Sequence, residues 1–170
     1  GATARACVQV GDWVGKGQTI GEPQGALSAA VHAASSGTVV AIEDRPVAHP
    51  SGLAAPCVLI ATDGADTWAP LPPPLTDFAG TDPAVLRERL RWAGVVGLGG
   101  AVFPAAVKLA PGPERPITTL IINGVECEPY MTCDDRLMRE QPGRILDGVR
   151  IIRHLLAAQQ VLIAVEDDKP

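Results

Sequence analysis

Ile117-Thr118-Thr119-Leu120-Ile121-Ile122-Asn123-Gly124-Val125-Glu126-Cys127-Glu128-Pro129-Tyr130 decides the fold class of this chain. Residues 117–122 are short, β-branched and uncharged, which reads as a buried strand. Downstream, Asp134–Glu140 and Pro142–Ala157 read as helices. In the second of these Ile145, Val149, Ile152 and Leu156 recur at helical spacing, so one stripe faces a core. Gln160–Val165 is another short apolar strand. Strand, helix and strand in that order predict a parallel pair with a right-handed crossover. The expectation is an α/β domain over residues 83–170, cut before its sheet is complete. Both ends read as cut. Ala6–Val10 already runs like a strand, and Glu166–Pro170 resembles the loop and first turn of a further helix.

The polar tail of the same stretch is where chemistry is expected. In parallel α/β sheets ligands bind beyond the carboxyl ends of the strands. Asn123 offers donors and acceptors that suit the edge of a ring such as isoalloxazine. Glu126 and Glu128 can accept hydrogen bonds from ribityl or ribose hydroxyls. The plainer alternative is a solvated acidic loop, with Glu128-Pro129 as an ordinary turn.

Working back toward the N-terminus, Thr81-Asp82-Pro83 starts a helix, with Asp82 as N-cap and Pro83 at the first helical position. Val85, Leu86, Leu90 and Trp92 form its apolar side, and Ala93-Gly94 stops it. Then comes Gly94-Val95-Val96-Gly97-Leu98-Gly99-Gly100-Ala101-Val102-Phe103-Pro104-Ala105-Ala106-Val107-Lys108. Glycines allow a tight turn and close approach to a ligand. Pro104 suits a helix start, whose free N–H groups favour phosphate, and Lys108 can reach the same anion as a point charge. The loop departs from the dinucleotide fingerprint because it follows a helix and not a strand. On this loop alone, a phosphate cradle and a tight turn with Phe103 and Val102 in the core are equal readings.

Residues 1–62 have another texture: short Val/Ile/Ala runs between Gly, Pro and Ser turns, which indicate a small all-β unit. Val31-His32-Ala33 and Thr38–Ile42 flank Ala34-Ser35-Ser36-Gly37, a hairpin signal. Residues 63–82 then form a boundary, where Ala69-Pro70-Leu71-Pro72-Pro73-Pro74-Leu75 favours a stiff extended linker. The β pattern resembles a biotinyl/lipoyl-like barrel-sandwich domain. The matching residues are Gly11-Asp12, Val14, Gly17-Gln18, Ile20-Gly21-Glu22, Val31-His32-Ala33 and Ser36-Gly37-Thr38-Val39. Carriers of that type present a lysine at a hairpin tip. The turn from His32 to Gly37 holds none, and Lys16 sits in the other corner as a solvated turn lysine, so the unit reads as structural. His32 and His49 read as surface or packing residues.

Composition bounds the rest. A formal charge of −5 argues against nucleic-acid binding. Aromatic residues make up 4%, so the core must be aliphatic. No run approaches the roughly 18–20 apolar residues of a membrane span, and no signal peptide is visible at the N-terminus. Cys7, Cys57, Cys127 and Cys133 show no C-x-x-C spacing, so cluster and zinc patterns are missing. Cys7 and Cys57 read as buried free thiols.

Three motifs carry a family resemblance. Gly97-Leu98-Gly99-Gly100-Ala101-x-Phe103-Pro104-x-x-x-Lys108, Asn123-x-x-Glu126-x-Glu128-Pro129 and Cys133-x-Asp135-Arg136 resemble the FMN- and NADH-binding region shared by the RnfC family and the flavoprotein subunit of respiratory complex I. The form Asn-Gly-Val-Glu-Cys-Glu-Pro-Tyr and the preceding β unit are most similar to RnfC. The resemblance implies a Rossmann-like FMN/NAD-binding domain after the β unit. It implies that Gly97, Gly99, Gly100 and Ala101 line flavin and nucleotide with backbone, that Phe103 stacks on adenine, and that Lys108 holds phosphate or ribityl oxygens. It also implies that Asn123 and Glu126 contact the flavin and Glu128 the NAD(H). The complex I pattern has an acid where Val125 stands, which bears on one flavin contact, and an arginine where Leu98 stands. The implied activity is NADH/ferredoxin-type electron transfer in an ion-translocating complex. Its partners would be other Rnf-type membrane subunits and a ferredoxin-like carrier, on the cytoplasmic side of the membrane as a peripheral subunit. The 4Fe-4S clusters of the family belong to cysteine motifs absent from these residues. The rival expectation is an assembly or docking module without cofactor.

Overall fold

The computed structural model describes residues 2–48, 51–98, 101–112 and 114–169. His49, Gly99 and Gly100 therefore lie outside the described residues. The chain divides into two compact units, 1–76 with 88–108 and 77–87 with 109–170.

Among the described residues the first unit has six strands: β1 Arg5–Ala6, β2 Trp13–Val14, β3 Thr19–Glu22, β4 Val31–His32, β5 Gly37–Pro46 and β6 Ala54–Thr62. They form two three-stranded antiparallel sheets, ordered β1-β3-β4 and β2-β5-β6, with no closed barrel among the described residues. Val14, Ile20, Ala33 and Val39 are buried between Val8, Val58 and Ile60, an aliphatic core as the composition requires. The expected hairpin at residues 34–37 is not one. β4 pairs with β3, while β5 pairs with β2 and β6, so the chain crosses between sheets there. The reason is Ser36. Its fully buried hydroxyl donates to Asp63 Oδ1 at 2.7 Å and accepts from the Thr67 N–H at 2.9 Å, which ties the crossover to the chain beyond β6.

Lys16 is not merely solvated. Its ammonium pairs with Asp66 at 2.5 Å and lies 5.0 Å from the Trp68 ring centre. The Lys16 N–H donates to the Thr67 carbonyl, and the Lys16 carbonyl accepts from the Ala69 N–H. The start of the proline-rich stretch is thus docked on this corner, where a Cβ on Gly15 would meet the Ala69 backbone at 2.7 Å. Cys7 is exposed and Cys57 only half-buried, so the expected burial of both thiols does not hold.

Helix α1 spans Pro83–Trp92 and α2 Ala105–Lys108. Only Leu86 of the expected apolar side of α1 is buried. Val85 and Trp92 are exposed, and the Trp92 indole donates to Glu88. The second unit contains β7 Thr119–Asn123, α3 Cys133–Glu140, α4 Pro142–Leu156 and β8 Gln160–Ala164. β7 and β8 pair in parallel, from Thr119 with Gln160 to Asn123 with Ala164. α4 buries Val149 and Leu155, and its left-handed cap at Ala157 turns the chain into β8. Phe78 packs edge-on against His154 at 6.0 Å, fastening the segment before α1 to α4. No helix among the described residues is long and apolar enough to cross a membrane.

Candidate functional site

Gly94, at φ +70°, ends α1 with its own N–H and that of Val95 reaching back to Arg91 and Leu90, a glycine helix stop. The end of α1 is fastened to the β strands. The Ala30 N–H donates to the Arg91 carbonyl at 3.0 Å, and the Arg91 guanidinium donates to the carbonyls of Ser28 and Gly25. Beyond Gly94 the chain runs out and back. Val96 bridges Pro104, the Gly97 N–H donates to the Phe103 carbonyl at 2.9 Å, and the Ala105 N–H donates to the Val95 carbonyl. Lys108 closes this loop, because a Cβ on Gly97 would lie 3.6 Å from its ammonium. Among the described residues Lys108 has no carboxylate partner. Ala101 is exposed, Val102 is 60% exposed and Phe103 38% exposed. Neither of the latter two is the core side chain that a purely structural turn requires. α2 is a single turn, so its dipole is slight, and the charge this loop offers an anion is Lys108.

In the second unit Asn123 is the last residue of β7, level with the end of β8. Its Oδ1 accepts from the Val125 N–H at 3.1 Å, and its amide nitrogen has no partner among the described residues. Gly124 is closely packed: its N–H donates to the Ala164 carbonyl, and a Cβ would sit 2.8 Å from Met138 Sδ and 3.0 Å from the Ala164 carbonyl oxygen. Glu128 is exposed, and its carboxylate is unpaired among the described residues. Glu126 points the other way. Its Oε1 accepts from the Asp134 N–H at 2.8 Å, while Oε2 accepts from the Asp135 N–H at 3.2 Å and from Lys169 Nζ at 3.0 Å. It therefore caps α3 from eight residues upstream, where Thr132 makes no side-chain cap. Its carboxylate is only 2% exposed. Nothing in the sequence announced Lys169 as its partner. Behind Asn123 and Gly124 lies a cavity of about 320 Å³ with almost wholly apolar walls, including Ile122, Leu137, Ile145 and Ile163. The structure thus gathers Gly97, Phe103 and Lys108 on one loop of the first unit, and Asn123, Glu126 and Glu128 on one loop of the second.

The Asp134 N–H, followed by the Lys169 ammonium and the Asp135 N–H, holds the Glu126 carboxyl below the usual carboxylate range, and Glu126 with Glu166 raises Lys169. A lowered carboxyl stabilises the fold above its ordinary pKa and loses that contribution as pH falls through the lowered value. A raised amine stabilises below its ordinary pKa and loses its contribution as pH climbs through the raised value. The pair is therefore at full strength from weakly acidic to moderately alkaline pH. Melts taken from about pH 7 down to about pH 3 should show a steeper loss of Tm for the wild type than for Glu126→Gln. Parallel curves would mean that Glu126 carries no acid sensitivity.

Comparison with known proteins gives two consecutive matches. A family model described as the RnfC barrel sandwich hybrid domain covers residues 1–65. One described as the Nuo51 FMN-binding domain covers residues 90–170. The chain is similar along its whole length to the C subunit of the ion-translocating oxidoreductase complex of Pseudomonas aeruginosa, with 53% identity over 22% of that protein. The proteins of the same description from Pasteurella multocida and Rhodobacter capsulatus are 49% and 46% identical, again over this whole chain and over 20% and 33% of their own lengths. The chain thus spans no more than about a third of the length of these relatives.

Proposed function

The chain belongs to the RnfC family, and from that premise we propose that it forms part of a flavin- and nucleotide-binding subunit that passes electrons between NAD(H), FMN and iron–sulfur clusters. The observation that carries this reading is the unpaired set at the end of β7: an open amide on Asn123 and an unpaired carboxylate on Glu128, presented by a loop that Glu126 anchors from behind. We take β7, α3, α4 and β8 as the start of a Rossmann-like sheet. Each of the two loops offers groups that suit a part of FMN. A free amide fits the edge of a flavin ring, and a lysine without a carboxylate neighbour fits a phosphate. When bound, the flavin supplies the hydride chemistry and the step to single electrons. The protein's part is placement. Asn123 orients the ring, Glu128 addresses the nicotinamide nucleotide, and Gly97 with its loop neighbours Gly99, Gly100 and Ala101 allows close backbone approach. Lys108 holds phosphate, Phe103 offers an apolar face to the base, and Glu126 fixes the loop that carries Asn123 and Glu128. The proposed setting is the cytoplasmic face of a membrane, with the complex's other subunits and a ferredoxin-like carrier as partners. Any 4Fe-4S clusters would be held by sequence beyond these residues.

A second reading, a docking module without cofactor, draws on one feature. β5 and β6 pair along their whole lengths, but β2 covers only Gly37 and Thr38, so the far part of the ribbon stands exposed with Val47 and Leu53 near its tip. FMN titration followed by flavin fluorescence separates the two. The expected result is stoichiometric binding by the full-length protein and weak binding by these residues alone. A full-length protein that binds no flavin would leave the docking module standing. Tight binding by this chain alone would show that the site is already complete within it.

A further inference from the structure

We propose that the segment Ser28–His32 is a second wall of the nucleotide site. It shares one cleft with Phe103 and offers the Ser28 hydroxyl to the adenosine half of a dinucleotide. The inference rests on the reading that the glycine loop serves NAD(H), and it adds a contribution from the β strands that neither the motifs nor the FMN-binding match assigns.

The cleft lies wholly within the first unit. It holds about 540 Å³ and is lined by residues 2–4, 27–32 and 101–104, together with Gly94 and Val96. A volume of this order, with walls of mixed apolar and polar character, is within the range of a small-molecule site. Phe103 is the one phenyl ring in its walls and is partly exposed, so it can lie against a planar heterocycle. Ser28 is one of its polar residues, beside Thr3 and His32. The residue is 4% exposed, yet among the described residues its hydroxyl has no hydrogen-bond partner, and only its carbonyl is used, by Arg91. No sealed-in side-chain oxygen among the described residues lacks a partner, so this hydroxyl retains a little solvent access, and its residue lines the cleft. A hydroxyl both donates and accepts, which matches the mixed edge of a purine or a ribose diol. No carboxylate lines the cleft among the described residues, so nothing in its walls repels a phosphate ester. The wall is also rigidly mounted, because Arg91 holds residues 25–30 and the backbone of Gly94 rests against Ala30 and His32.

The test uses the full-length protein in its complex, oxidising NADH or reduced nicotinamide mononucleotide with an artificial acceptor. The second substrate lacks the adenosine. Val31 lines the cleft and is 49% exposed, so Val31→Trp fills it without entering the core. This variant should raise KM for NADH by about tenfold or more, and Ser28→Ala by about threefold to tenfold, the range of one net hydrogen bond. KM for the mononucleotide and the flavin content should stay unchanged. An unmoved KM for NADH in both variants, or equal shifts for the two substrates, overturns this wall while leaving the parent reading intact. A wild-type complex that oxidises neither substrate ends both.

Discussion

Glu126→Ala is expected to lower the melting temperature of the second unit by roughly 10 °C and to abolish flavin binding by the full-length protein. Truncation leaves the N–H groups of Asp134 and Asp135 and the Lys169 ammonium without their shared acceptor, at a position where the lost carboxylate was 2% exposed. Helix N-termini need acceptors for their first N–H groups, and α3 has no substitute, since Thr132 makes no side-chain cap. The loop from Asn123 to Glu128 would lose its anchor, and with it the placement of the two groups proposed to meet the cofactors. Glu128→Ala is the matched control. That carboxylate is exposed and unpaired among the described residues, so its loss should shift the melt by no more than about 1 °C while weakening NAD(H) binding. Glu126→Gln, which keeps one acceptor oxygen, should fall between the two. A Glu126→Ala protein that melts with the wild type would refute the anchoring role.

The contrast between these two glutamates shows where sequence reading stops. The parallel pair was legible because Thr119–Asn123 and Gln160–Ala164 are short and apolar and are separated by helices with a clear stripe. The stop at Gly94 was legible for a local reason, since left-handed backbone favours glycine. Glu126 and Glu128, by contrast, look alike in sequence. Only a lysine 43 residues away and the N-terminus of α3 turn one inward. The crossover at Ser36 reads as a hairpin in the sequence for the same kind of reason. Ser35-Ser36-Gly37 has good turn chemistry, but what decides its pairing is a buried hydroxyl bonded to Asp63 and Thr67. Arg91 is a third case. It sits among the charged residues of a helix end, and nothing nearby in the chain tells that its guanidinium reaches Ser28 and Gly25. Periodicity and turn residues encode the elements. Single long-range polar contacts choose which elements meet, and no local pattern carries them.

Gly94→Val tests whether those contacts hold the glycine loop in place. Gly94 sits at φ +70°, and a Cβ there would lie 2.6 Å from the Ala30 carbonyl oxygen and 3.2 Å from the His32 ring. The imidazole can swing aside. The carbonyl cannot, because the Ala30 N–H is bonded to Arg91 and the chain runs directly into β4. The left-handed conformation alone costs a residue with a Cβ about 1–2 kcal/mol, and a β-branched side chain costs more. Relief requires prising the end of α1 away from residues 28–32, which sacrifices the Arg91 bonds as well. The sum is about 3–5 kcal/mol, in the range of single changes that force strain into a packed site. Chemical denaturation should show it as a lowered midpoint with unchanged slope, and hydrogen exchange should show lost protection at the Ala30 amide. Gly112→Val is the control: nothing lies within 4 Å of a Cβ there and its φ is not left-handed, so a change within about 0.5 kcal/mol is expected. Because the same wall is proposed to hold adenosine, Gly94→Val in the full-length protein should also raise KM for NADH by more than about tenfold. Stability and KM equal to those of the control would mean that the loop is not mounted on the β strands.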